Sequence, residues 1–392
     1  MSIPKKRIVI VGATGSIGSS TLKIIRAHPE RFELVGIAAH KQGDALCAIA
    51  QEFKVPYMAV CCPEVAKSLQ GSPKIPNGTT LLCGNQGLEE LVCLEDIDLV
   101  VMAPVGIHGL APTLAALRIG RTVALANKET LVLGGALVKE TCQHFGGKIL
   151  PLDSEHNALF QCLEGVRLEH VQKLYLTASG GAFRDLALNE LAHVTAQKAL
   201  EHPNWLMGPK VTIDCATLAN KGLELIEAHW LFDLPGEKLG ALLHRQSIVH
   251  GLIECIDGCI LSEISPPDMV YAIQHAMLYP DRAPAPAKRL DLSRTFSLDF
   301  APVDYTRYPA FAMAEQALRA GGAYPGIFNA ANEEAVEAFI AEEIGFLDIP
   351  TIIDAALQGL ENQPIQTLGD ALAVHNEARR WTREKIATLL PA

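Results

Sequence analysis

The chain has no basic excess: 33 lysines and arginines stand against 44 aspartates and glutamates, a formal charge of −11. Nonspecific nucleic-acid binding leaves a basic footprint, so no nucleic-acid partner is expected. Any anionic ligand must instead be held by a local cluster of positive charge. Long apolar runs are also missing; none reaches the roughly 18 residues of a membrane helix, so no membrane partner is expected. Met1 to Arg7 lead directly into the apolar Ile8–Val11, which leaves no space for a signal peptide, and a cytoplasmic location follows as an expectation. Ten cysteines are scattered without a single Cys-x-x-Cys pair, so a structural zinc is not expected and free thiols packed as small hydrophobes are. Cys255 and Cys259 flank Asp257-Gly258, the pattern of a hairpin tip. Internal repeats and low-complexity tracts are absent. What remains is an ordinary globular composition, 49% hydrophobic and 20% charged over 392 residues, enough for two or three domains.

Over residues 1–150, short apolar runs alternate with amphipathic stretches. Ile8–Val11, Leu34–Ala38, Tyr57–Val60, Leu99–Ala103, Thr122–Ala126 and Lys148–Pro151 read as buried strands, with helices such as Thr21–Ala27 and Leu110–Arg118 between them. That order predicts an α/β fold built on a parallel sheet with helices on both faces. Residues 151–282 mix strands (Lys173–Ala178, Ile248–Glu254, Cys259–Glu263) with a helix over 217–232, an α+β pattern. Residues 283–309 carry Pro284, Pro286, Pro302 and Pro309 without periodicity and read as an extended linker. Helical spacing in Phe311–Arg319, Ala330–Ile340 and Ile349–Leu360 makes 310–392 a C-terminal helical domain.

Gly12-Ala-Thr14-Gly15-Ser16-Ile17-Gly18 follows a strand and opens a helix. In that context the glycines point to a Rossmann-type dinucleotide loop: Gly12 for a tight turn, Gly15 for close approach of the pyrophosphate to the helix N-terminus. After the second strand an NAD enzyme places a carboxylate on the ribose 2′-hydroxyl. Here His40-Lys41-Gln42 occupies that place and the first carboxylate is Asp44, which favours the 2′-phosphate of NADPH; a solvated loop lysine is the alternative. Asn127-Lys128-Glu129 follows the strand Thr122–Ala126, outside the carboxyl end of a parallel strand, where ligands bind.

Asp153 and Glu155 flank Ser154 just after Lys148–Pro151. In extended backbone, residues two apart share a side, so both carboxylates can meet one ion. Oxygen-only ligation favours Mg²⁺ or Mn²⁺; a solvated acidic loop is the alternative. In the helix over 217–232, Asn220 and Glu224 share a face and Lys221 lies three residues from Glu224. That trio is either part of a ligand site or a surface ion pair. The loop Glu201–Lys210 mixes His202 with Trp205, Met207 and Gly208, a composition suited to a lid, unless Trp205 only packs into the core. Ser179-Gly180-Gly181 ends a strand with a hydroxyl and two glycines, a small anion nest.

These motifs together resemble the 1-deoxy-D-xylulose 5-phosphate reductoisomerase family. The resemblance covers essentially the whole chain. It rests on the glycine loop 12–18, Asn-Lys-Glu (127–129), Leu-Asp-Ser-Glu-His-Asn (152–157), Ala-Ser-Gly-Gly (178–181), His-Pro-Asn-Trp (202–205), Asn-Lys-Gly-Leu-Glu (220–224) and Asn-Ala-Ala-Asn-Glu (329–333). It implies a homodimeric enzyme that rearranges a small phosphorylated ketose and reduces the product with NADPH. Asp153, Glu155 and Glu224 would hold Mg²⁺ or Mn²⁺ as the metal centre, with Lys128 catalytic beside the substrate. Ser179, Asn220 and Lys221 would grip the phosphate, and Ser154 and His202 the hydroxyls, with Trp205 closing over them. Gly12, Thr14 to Gly18, His40, Lys41, Gln42, Asn127, Glu129, Met207 and Gly208 would meet the cofactor.

The chain departs from the family pattern in places. Cys215 stands where a phosphate-binding serine is usual, and a thiol is a weaker donor. His40 and Gln42 replace glycine and asparagine around Lys41, Leu206 replaces a lid serine, Ser265-Pro266-Pro267 lacks a glycine, and Arg245 replaces a proline. Two other readings share the glycine loop. A homoserine- or semialdehyde-type dehydrogenase would need no divalent-metal carboxylates, and a non-enzymatic nucleotide-sensing regulator would tolerate losing the polar cluster.

Overall fold

A strand can return parallel to its neighbour only through a crossover, and residues 6–151 supply a helix or long connection between every two apolar runs. In the computed structural model, which describes residues 4–201, 205 and 207–388, this alternation yields seven strands. They are β1 (Lys6–Val11), β2 (Phe32–Ala39), β3 (Tyr57–Val60), β4 (Thr80–Cys83), β5 (Leu99–Met102), β6 (Thr122–Leu125) and β7 (Lys148–Pro151). All neighbours are parallel, in the order β4-β3-β2-β1-β5-β6-β7. The strand order reverses between β1 and β5, so the ligand crevice of such a sheet opens outside the carboxyl ends of those two strands.

The chain divides into two units. The first holds residues through Thr130, Leu137–Asn157 and Asp268–Lys288. Its last segment carries the helix Val270–Leu278, and the Lys6 ammonium ties that segment to β1 through the carbonyls of Met277 (3.1 Å) and Tyr279 (2.8 Å).

The second unit holds Leu131–Ala136, Ala158–Pro267 and everything from Arg289. Its mixed sheet has β8 (Val171–Ala178), β9 (Leu239–Leu243), β10 (Val249–Cys255), β11 (Ile260–Ile264) and β12 (Ala301–Pro302), in the order β11-β10-β8-β9-β12. Only β8 and β9 run parallel. Leu225 and Phe232 of the helix Ala219–Phe232 pack with Leu174, Leu176, Leu239 and Ile253 of the sheet, and Phe311 joins them from the helix Pro309–Ala320. The helices Tyr324–Ile340, Asp348–Gly359 and Leu368–Ala387 follow, the first of them nearly all buried.

The architecture is therefore the α/β one expected: a Rossmann-type parallel sheet, an α+β part and a helical C-terminal part. Among the elements not expected from the sequence, which include β9, three carried a weak signal. Strand β4 is four residues long. Strand β12 is two, one of them proline. The helix Leu368–Ala387 buries Ala371, Val374, His375, Ala378, Thr382 and Ile386, a face with only two large apolar residues in twenty and so a weak hydrophobic signal. Its start is nonetheless capped: Thr367 Oγ1 accepts from the Asp370 amide (3.1 Å), and the Asp370 carboxylate accepts from the Thr367 amide (2.8 Å).

Two local expectations are corrected. The helix expected over 217–232 is Ala219–Phe232, and a preceding helix that was not expected, Pro209–Thr217, ends against it at Leu218 with φ +58°. Leucine has no preference for left-handed backbone, so no residue type announced the break. The polar loop ends at Gly208 rather than Lys210, because Pro209 opens the first of these helices.

Candidate active site

The glycines of the loop after β1 divide into two kinds. Gly12 has φ +85°, and a Cβ there would lie 2.4 Å from the carbonyl oxygen of Ala103. A Cβ on Gly18 would lie 2.4 Å from the oxygen of Gly12. The fold itself requires both glycines. Gly15 differs: a Cβ would meet nothing nearer than Gly12 O at 3.4 Å, an ordinary contact. The protein would accept a side chain at 15, yet leaves the N-terminus of the helix Ser16–Ala27 bare. That is the feature a pyrophosphate needs. Thr14 and Ile17 beside it are half-buried and Ser16 is exposed.

His40, Lys41 and Gln42 are exposed just beyond β2, with the His40 and His108 rings 6.0 Å apart. The first carboxylate after this strand, Asp44, accepts from Lys74 Nζ at 2.8 Å through each oxygen. An available cation at Lys41 and a neutralised Asp44 suit a 2′-phosphate better than a 2′-hydroxyl.

Asn127 is buried and acts through the protein. Its Oδ1 accepts from the amide (3.1 Å) and hydroxyl of Thr130, capping the helix that starts at Lys128. Its Nδ2 lies 2.9 Å from Pro104 O, 2.8 Å from Gly106 O and 2.7 Å from Glu129 Oε2. A Cβ on Gly109 would lie 2.3 Å from Asn127 Oδ1, so the loops after β5 and β6 close around this one amide. The next residue, Lys128, pairs with Asp153.

The extended-backbone argument for Asp153 and Glu155 does not hold, because Ser154 already begins the helix Ser154–Leu163. The two carboxylates still approach, through a helix start. An oxygen from each comes within 4.8 Å of the other, and Asp153 Oδ1 accepts from the Glu155 amide at 3.2 Å. The Ser154 hydroxyl donates to Glu155. Buried His156 lies 3.7 Å from Asp153 on the same turn, and Asn157 Nδ2 donates to Pro151 O at 2.9 Å.

In the second unit, Gly180 and Gly181 both have positive φ (83° and 70°), which turns the chain back after β8. The loop is clamped from several sides. Arg184 donates to Ser179 O (2.9 Å), Tyr308 Oη donates to Gly180 O (3.0 Å), and Ser179 Oγ accepts from the Gly181 amide (3.2 Å). Burial pushes the Tyr308 phenol up to about 12, which keeps its proton on the donor. Opposite, Gly181 lies so close to Ala216 that a Cβ would sit 2.4 Å from the Ala216 Cα. Cys215, the preceding residue, is half-buried on the helix Pro209–Thr217.

One turn into the next helix, the Glu224 carboxylate accepts from Asn220 Nδ2 at 2.5 Å and from Lys221 Nζ. Glu224 is 1% exposed and Lys221 3%, so the trio is no surface ion pair. A buried carboxylate and ammonium in direct contact concentrate charge on this turn of the helix. Of the lid residues, His202 and Leu206 lie outside the described residues. Trp205 and Met207 are half-buried and Gly208 exposed; the Trp205 ring stands edge-on to His250 with centroids 6.2 Å apart.

Sequence reasoning missed Asp214, which accepts from Lys210 (2.6 Å) and from Asn332 (2.8 Å) and is almost fully buried. Its signal was the Lys210/Asp214 spacing of four and the unassigned Asn-Ala-Ala-Asn-Glu motif.

Comparison with known proteins places the whole chain in one family. Family models described as 1-deoxy-D-xylulose 5-phosphate reductoisomerase match residues 8–135, its C-terminal domain 149–232, and a further DXP reductoisomerase C-terminal domain 264–381. The reductoisomerase of Geobacillus kaustophilus is 47% identical, covering 97% of this chain and 100% of its own. That of Chlorobium chlorochromatii is 45% identical over 98% and 100%. Among solved structures, the Zymomonas mobilis enzyme in complex with NADPH is 39% identical with a TM-score of 0.90, covering 98% of this chain and 99% of that one. A reductoisomerase in complex with NADPH, fosmidomycin and magnesium is 38% identical with a TM-score of 0.91 and the same coverage. With every segment of the motif series matched across both units, the chain belongs to the 1-deoxy-D-xylulose 5-phosphate reductoisomerase family.

Proposed function

We propose that this protein converts 1-deoxy-D-xylulose 5-phosphate to 2-C-methyl-D-erythritol 4-phosphate, with NADPH and Mg²⁺ or Mn²⁺. The observation that carries the reading is the full-length likeness to an enzyme solved with NADPH, fosmidomycin and magnesium together. The residues here fit those groups. The bare helix start at Gly15 and the exposed Lys41 suit a dinucleotide phosphate. Asp153 and Glu155, with oxygens within reach of each other, form the beginning of a hard, oxygen-only donor set. In this reading Glu224 completes it.

When bound, the metal supplies Lewis acidity and the nicotinamide supplies hydride. The rest falls to the chain. Lys128 holds Asp153 in place and faces the ketose. Ser179, Asn220 and Lys221 bind the phosphate, with Cys215 beside them, and Ser154 and His202 orient hydroxyls. Gly12 to Gly18, His40, Gln42, Glu129, Met207 and Gly208 seat the cofactor, with Asn127 setting the loops around it. Trp205 closes over the substrate and excludes water. Residues 1–150 then serve the cofactor, 151–282 the metal and ketose with their lid, 283–309 as linker, and 310–392 as a helical brace.

A homodimer and a cytosolic location belong to the same proposal. The first is supported by β11, an edge strand with Ile260, Leu261 and Ile264 exposed. Such an edge is normally covered. The second draws on ten free cysteines.

Loss of nicotinamide absorbance with 1-deoxy-D-xylulose 5-phosphate, with and without Mn²⁺ or Mg²⁺, tests the reading. Metal-dependent oxidation is expected. Oxidation of a semialdehyde substrate without metal, and none of the ketose, would favour the dehydrogenase instead.

A further inference from the structure

Resting on that reading, we infer that Asp214 and Asn332 are positioning residues that set one wall of the phosphate loop Ser179–Gly181. Asp214 lies on the helix Pro209–Thr217 and Asn332 on the helix Tyr324–Ile340, 118 residues further along the chain. Asn332 Nδ2 donates to Asp214 Oδ1 at 2.8 Å, and Lys210 Nζ donates to Oδ2 at 2.6 Å. The residues immediately after Asp214 are the surface against which the loop rests. A Cβ on Gly181 would come within 2.4 Å of Ala216 Cα and 2.6 Å of Cys215 O. At that separation a shift or rotation of the helix is transmitted straight into the loop. On its other side the loop cannot yield, because Arg184 and Tyr308 hold the carbonyls of Ser179 and Gly180. The same helix ends at the strained Leu218, two residues before Asn220. Its rotation therefore reaches both halves of the proposed phosphate grip.

Stability alone does not explain the pair. A carboxylate nearly sealed from water is costly, and Asn332 Oδ1 is buried with no hydrogen-bond partner among the described residues. Two apolar side chains of similar shape would avoid both penalties. What they could not supply is a directional bond that fixes the rotation of the Pro209–Thr217 helix about its axis. The Asn-Ala-Ala-Asn-Glu segment thus serves the phosphate loop at second hand, without touching substrate.

The test compares wild type, Asn332→Leu and the exchange variant Asp214→Asn/Asn332→Asp, each with Tm, kcat and separate Michaelis constants for ketose phosphate and NADPH. Asn332→Leu is expected to raise the ketose constant about tenfold or more, the order seen when a binding group is slightly misplaced. Its kcat should stay within a few-fold, and its NADPH constant unchanged. The exchange variant restores a bond between the two positions and should bring the ketose constant back towards wild type. If Asn332→Leu does not fold, Asn332→Ser, which is too short to reach Asp214, carries the same expectation. Parallel increases in both Michaelis constants, or a lower Tm with no change in the ketose constant, would overturn the inference. Wild type inactive on the ketose would instead sink the functional reading on which it rests.

Discussion

Glu224→Gln separates the charge of this side chain from its shape. In the wild type its two oxygens face two donors, Asn220 Nδ2 at 2.5 Å and Lys221 Nζ. Glutamine has nearly the same volume but presents an oxygen to only one of them and turns its own NH₂ towards the other. Lys221, with its side chain 4% exposed, then loses the carboxylate charge it faces. Removing one partner of such a pair costs roughly 3–5 kcal/mol. The change also removes a proposed metal ligand, and losing several kcal/mol of Lewis-acid stabilisation corresponds to roughly a thousandfold in kcat. Lower stability and lower activity are therefore both expected, and a second variant isolates the first. Glu224→Gln/Lys221→Met removes the ammonium together with the carboxylate charge, so thermal stability should recover most of the loss. NADPH affinity, followed by fluorescence titration, should survive in both variants because its proposed loop lies in the other unit. Turnover by Glu224→Gln above about a tenth of wild type would refute the metal assignment; a thousandfold loss is about 4 kcal/mol. A double variant no more stable than the single one would refute the buried-pair argument.

Gly15→Ala should leave Tm nearly unchanged but raise the Michaelis constant for NADPH, whereas Gly12→Ala, driven into Ala103 O at 2.4 Å, should lower Tm markedly. Equal Tm losses would remove the ligand argument for Gly15. Cys215→Ser introduces a stronger donor and should lower the Michaelis constant for the ketose phosphate a few-fold; an unchanged constant would place Cys215 outside the phosphate contacts. His275 is held down to about 4, first by burial and then by Arg282. A histidine whose folded value is depressed contributes stability above its unfolded value of about 6.5, and that contribution is lost as pH falls towards 4. Denaturant titrations should show up to about 3 kcal/mol lost over that window, and His275→Gln should flatten the slope; an unaltered slope would refute the assignment.

Periodicity in the sequence predicted most of the parallel sheet because buried parallel strands are apolar throughout and separated by crossovers. Ile8–Val11, Tyr57–Val60 and Lys148–Pro151 fall within or on the observed strands. The glycine loop was equally legible, since its spacing encodes a turn whatever lies around it. Asp153 and Glu155 were selected by an argument from extended backbone that the helix start at Ser154 overturns. Local spacing reports which residue types are near one another, and it does not fix the direction in which their side chains point. The place of Asn127 after β6 marked it as functional and the family resemblance implied a cofactor contact; that its polar atoms also tie together two backbone segments was not legible. No window of sequence contains Pro104, Gly106 and Thr130 at once.

The sequence alone therefore determined the α/β order of elements, the dinucleotide loop and the family, because each depends on residues near one another along the chain. Tertiary structure decided the rest. Whether Lys221–Glu224 is a solvated pair or a buried one depends on what packs over the helix, and periodicity cannot distinguish a helix covered on one side from one enclosed. The partnership of Asp214 with Asn332 joins residues 118 positions apart. Such pairings are set by how helices pack, and packing reads shape across the whole core rather than order along the chain.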